Sequence, residues 1–145
     1  MIWLMSAVIG GVAYLASFLI WGGGPGFAGQ LWLAGVPETN HELRLFLAWL
    51  RDWLILAAPL CAVFGVPFGY RFGTYPLLMG LLMGAGFLLA LWGHYLVMAM
   101  ALPPLTENMI MNYAGQAVVL LVLFVLAVAA GNGLARLLTG QAPQG

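Results

Sequence analysis

Few side chains in this sequence could take part in chemistry, and four of them fall together once the chain is divided into helices: Arg51, Asp52, His94 and Glu107. A guanidinium, two carboxylates and an imidazole could bind a polar ligand, carry a proton or tie helices together by ion pairs. Arg51 and Asp52 are adjacent, so on a helix they project about 100° apart and do not face each other. Neither has an opposite charge three or four positions away. Their available partners are therefore His94 and Glu107, on neighbouring helices. Trp49 and Trp53 offer a purely structural reading of the same level. One turn apart, they mark a membrane–water interface, where long charged side chains reach water along their stems.

Other chemistry is poorly represented. His41 and His94 are the two histidines. Two imidazoles from different helices can ligate one haem iron, which makes them the one pair for haem b. His41, however, precedes the apolar run and stands outside it. No HExxH motif, no Cys/His cluster, no Ser-His-Asp arrangement and no phosphate loop is present. The sequence therefore points to no catalytic residue, no metal site and no cofactor. Cys61 stands alone in an apolar run and reads as a small buried residue.

These groups are positioned by an unusually apolar chain. Of 145 residues, 64% are hydrophobic and 6% charged, and the mean hydropathy is +1.04. Soluble domains carry about 25% charged residues, so this composition calls for lipid as solvent. Four arginines, no lysine and a net charge of zero exclude a nucleic-acid surface.

The stretch Thr39 to Tyr70 organises the rest. His41, Arg44, Ala48, Arg51 and Asp52 form a polar stripe at helical spacing, with Thr39 or Asn40 as cap. Beyond Trp53 no charge appears up to Tyr70. One long helix is expected, amphipathic at first and apolar afterwards. Pro59 within it should bend it, because the Ile55 carbonyl loses its donor.

Three further charge-poor stretches have spanning length. The expected spans are about 2–21, 45–70, 77–102 and 111–137. Ile2–Trp21 lacks a basic leading region and is longer than a leader's apolar run, so it reads as a span and not as a cleaved signal. The Gly-rich, uncharged segment 22–37 reads as an interfacial loop. Arg71 to Pro76 is a tight connection, which predicts that the second and third spans are antiparallel neighbours. Gly10, the Gly65/Gly69 pair and the Gly80/Gly84 pair are expected helix contacts. The fold class is thus an all-α integral membrane protein: a four-transmembrane-helix antiparallel bundle whose second helix has an amphipathic N-terminal extension. Residues 1–138 form one membrane domain and 139–145 a mobile tail.

Four spans put both termini and Arg71 on one side. Six of the eight charged residues and both histidines fall on the other. Arginines divide two against two, so the positive-inside rule is nearly silent. The N-terminal amine tips the termini toward the cytoplasm of a bacterial inner membrane.

The chain lacks a charge inside its first span, an asparagine track and a basic substrate cluster, and so does not resemble small exporters, fluoride channels or glutathione-transferase-like membrane enzymes. With little chemistry, several glycine faces and one polar side, it reads as a small non-catalytic subunit of a larger membrane complex of secretion, conjugation or respiratory type. Its partners would be other integral membrane proteins or copies of itself, and the bilayer. An oligomeric transporter or channel is the first alternative. A membrane enzyme or haem b carrier is the second.

Overall fold

The structure is a computed structural model, and it describes residues 1–21, 41–99 and 107–140. Those residues form four helices and no strand: α1 (Ile2–Trp21), α2 (His41–Phe72), α3 (Pro76–Ala99) and α4 (Glu107–Thr139). The boundaries extend the expected ones chiefly where polar residues lead in. The helix of α2 starts at His41, so the amphipathic and apolar stretches are one continuous element. Pro59 and Pro67 lie inside α2 without interrupting it, and both are exposed. Each removes an N–H from the helix, so the Ile55 and Val63 carbonyls lose their donors. The 22–37 loop, the Thr39/Asn40 cap, residues 103–106 of the turn before α4 and 141–145 of the tail lie outside the described residues.

Among the described residues two helical segments, Pro76–His94 and Ala117–Thr139, are long and apolar enough to cross a membrane, and Ile2–Ser17 is a shorter apolar one. The chain between α2 and α3 turns within three residues. Gly73 donates its N–H to the Gly69 carbonyl at 2.9 Å and Thr74 to that of Phe72 at 2.8 Å. At its far end α4 stops on Gly140, whose N–H donates to the Arg136 carbonyl at 3.0 Å and whose φ of +64° turns the chain out of the helix. That left-handed closure suits glycine.

Packing corrects one expectation. Although joined by a tight turn, α2 and α3 hardly touch. Instead α1 packs on α3, α3 on α4, and α4 on α2. The pairs differ in direction. Trp3 meets Tyr75 near the start of α1 and α3, and Tyr14 meets Phe87 further along both, so this pair is parallel. Gly65 lies against Ala127 and Gly73 against Asn132, so α2 and α4 are parallel too. Gly80 faces Val125 and Gly84 faces Leu121, which makes α3 and α4 antiparallel.

Glycine decides these pairings because it lets backbones touch. A Cβ on Gly10 would collide with the Met83 carbonyl, and one on Gly86 with that of Ala7. In the α2–α4 seam a Cβ on Gly69 would strike the Val128 carbonyl, and one on Gly131 the Val66 carbonyl. Between the seams sits a core of fully buried Phe87, Phe124, Met79, Met83, Leu120 and Val128. Phe87 and Phe124 stand 5.9 Å apart, tilted by 54°, and Tyr14 meets Phe87 edge-on at 5.4 Å. One aromatic row therefore ties α1, α3 and α4 together.

Candidate functional site

Helix direction assigns each polar residue to an end of the bundle. His94 sits near the C-terminal end of α3, Asp52 in the N-terminal half of α2, and Glu107 is the first residue of α4. Arg51 is exposed on α2. All four therefore belong to the same half of the bundle, the one away from the α2–α3 turn. The side chains of Asp52, Glu107 and His41 lie outside the described residues. Because α2 and α3 hardly touch, Arg51 and His94 are carried on helices that do not pack together.

His94 is instead a neighbour of α1. Its half-buried ring lies 6.2 Å from that of Tyr14, at an interplanar angle of 56°. Tyr14 is buried, and one turn further along α1 the buried Ser17 donates its hydroxyl to the Tyr14 carbonyl at 2.6 Å. Ser6 is buried as well and donates to the Ile2 carbonyl at 3.0 Å. Both serines thus spend their protons on their own helix. A phenol beside an imidazole can share or relay a proton, or hold a polar ligand group. As a purely structural pair, it anchors α1 to α3 through ring stacking.

Sequence reasoning did not single out Tyr14, which sits in an apolar run without a motif. A signal was nevertheless present. Gly10, Tyr14 and Ser17 recur at helical spacing, so the face that carries the glycine contact carries the phenol too. Gly86, Gly73 and Gly131 were also passed over. Gly73 completes a triple with Gly65 and Gly69, and Gly131 lies between the buried Ala127 and Ala135. Alanine, another small residue, flanks glycine in such seams.

The opposite end is simpler. Arg71 closes α2 and Arg136 stands in the last turn of α4, both exposed. Arg136 donates from Nε to the buried Asn132 Oδ1 at 3.3 Å. Nearby, a cleft of about 460 Å³ is lined by Met1, Ile2, Trp3, Thr74, Tyr75 and Met79. Trp3 and Tyr75 form one wall, 5.8 Å apart. Among the described residues no group of three or more His, Cys, Asp or Glu side chains is arranged to hold a metal ion.

No protein-family model matches this chain, and no curated protein or solved structure matches it either. Its function must therefore be argued from its own geometry.

Proposed function

We propose that residues 1–138 are one membrane domain whose four helices all cross the bilayer. In this reading the protein is a small non-catalytic subunit of a larger membrane complex, in a bacterial cytoplasmic membrane with both termini inside. One observation carries it: among the described residues the bundle is filled inside and apolar outside. Along α1 the residues Leu4, Val8, Val12, Leu15 and Leu19 form an outward stripe, with Leu4 71% and Leu19 84% exposed. Val118, Val122 and Leu126 do the same on α4, and Leu89, Leu96 and Val97 on α3. Soluble monomers seldom expose contiguous apolar patches beyond a few hundred Å². Lipid or membrane partners remove that cost.

The aromatic residues support the same placement. Exposed Tyr75, immediately before α3, and Trp92 within it stand 17 positions apart, about 26 Å at helical rise. That is close to the ~30 Å hydrocarbon core, at whose edges Trp and Tyr collect. Exposed Trp3 and Tyr70 share the Tyr75 end.

The subunit reading rests on what the interior lacks room for. Among the described residues the bundle centre is occupied by phenylalanine, methionine, leucine and valine side chains, so transport would need several copies or a partner. Purification of the tagged chain in mild detergent, after alkaline extraction of membranes, tests the proposal. It expects retention in the membrane pellet and stoichiometric co-purification of other membrane proteins. Release by alkali overturns the membrane placement. A defined homo-oligomer without partners replaces the subunit reading with a transporter or channel, and a Soret band replaces it with a haem b carrier.

A further inference from the structure

We propose that the end of the bundle bearing Arg71 and Arg136 binds the headgroups of anionic phospholipids. The inference rests on the four-span reading and goes beyond it by naming a ligand class and the residues that select it. The first observation is charge. The carboxylates on the described helices, Glu42, Asp52 and Glu107, all belong to the other half of the bundle. Nothing on the described helices neutralises the two guanidiniums.

The second observation is hydrogen bonding. Among the described residues Arg71 makes no hydrogen bond or ion pair. Arg136 uses only Nε, on Asn132. Four of its five N–H groups remain for an external acceptor, and the Asn132 bond holds the planar fork in one orientation. Asn132 is itself set by packing, since it lies against Gly73 of the turn. A phosphate diester accepts from such a fork, whereas a zwitterionic lipid brings its own cation to compete.

The third observation is depth. The exposed rings of Trp3, Tyr70 and Tyr75 stand at this end, where amphipathic rings sit at headgroup level. The Trp3–Tyr75 cleft opens beside them and offers an apolar wall to the glycerol region of a bound lipid. Two cations just beyond an aromatic rim are placed to meet phosphates and not acyl chains.

The test uses the full chain reconstituted in phosphatidylcholine vesicles containing spin-labelled phosphatidylglycerol or spin-labelled phosphatidylcholine. The protein-restricted spectral fraction reports relative affinity. Wild type is expected to prefer phosphatidylglycerol by roughly fivefold or more, the effect of one to two basic residues at a membrane surface. The preference should shrink at high salt. Arg71→Gln with Arg136→Gln should abolish it, Arg71→Lys with Arg136→Lys should retain most of it, and Arg51→Gln, on the other half, should leave it intact. Insertion with no preference in wild type overturns this inference alone, as does a preference removed equally by Arg51→Gln. Failure to insert into any vesicle overturns it together with the four-span reading.

Discussion

Gly131 of α4 lies so close to the carbonyl oxygen of Val66 in α2 that no side-chain carbon fits between them. The contact is backbone to backbone, and Gly69 makes its mirror contact on Val128. In lipid, where apolar burial does not drive helices together, such close approach is the main source of association. We therefore predict that Gly131→Ala lowers stability by about 1–3 kcal/mol, as overpacking does. Gly133→Ala, two positions away with nothing within 4 Å of an added Cβ, should be neutral or stabilise by up to about 1 kcal/mol. Reversible unfolding in mixed micelles measures both. Equal effects of the two substitutions would remove the seam from the account.

Interior and exterior should respond in opposite ways. Phe87 is fully buried and touches both Tyr14 and Phe124. Phe87→Ala should cost about 3–5 kcal/mol through the cavity it leaves. On the bare face of α4, Val122→Ala should change stability by less than about 0.5 kcal/mol. Val122→Lys should instead hinder insertion, by about 2.5–3.5 kcal/mol on the translocon scale. A soluble protein would behave differently: Val122→Lys would then improve solubility and leave the fold intact. Membrane fractionation of the variant separates the two cases.

Sidedness follows from helix direction. In a Cys61→Ser background, single cysteines at Glu42 and Glu107 should react with an impermeant thiol reagent from one face of the membrane. A cysteine at Thr74, in the exposed α2–α3 turn, should react only from the other. Labelling of the Thr74 and Glu107 positions from the same face would contradict four crossings.

Much of the fold could be read in advance, and the reason is local. Charge-poor runs of spanning length and the polar residues between them set the helices, so α1 came out at Ile2–Trp21 as expected. The polar stripe from His41 with its cap at Thr39 or Asn40 predicts the start of α2, whereas α4 begins at Glu107, ahead of the expected 111, because the helix continues through polar residues that read as a turn. Pairing was not legible. A tight turn after Arg71 favours α2 beside α3, but Gly65, Gly69 and Gly73 mate with Ala127, Val128 and Asn132 on α4. A glycine face announces a close approach without naming its partner. The candidate site was legible only in outline. His94 could be sorted to the correct end by counting crossings, whereas its neighbour Tyr14 depended on the parallel α1–α3 pairing that no local pattern revealed.

That neighbour gives the last prediction. Tyr14 is 4% exposed and its ring contacts both Phe87 and His94. If the contact with His94 is stacking alone, Tyr14→Phe keeps it, and stability should change by less than about 1 kcal/mol. If the hydroxyl matters, Tyr14→Phe should cost about 1–3 kcal/mol, the penalty of breaking a buried hydrogen bond. The two cases separate in a double-mutant cycle of Tyr14→Phe with His94→Leu. We expect a coupling of about 0.5–1.5 kcal/mol, because both rings are held on glycine-tight helices and cannot drift apart to relieve the change. Independence within about 0.3 kcal/mol would show that the Tyr14 hydroxyl does not act on His94 and that ring stacking alone joins them. His94 would then answer only to groups at its own end, and a proton relay through Tyr14 would be excluded.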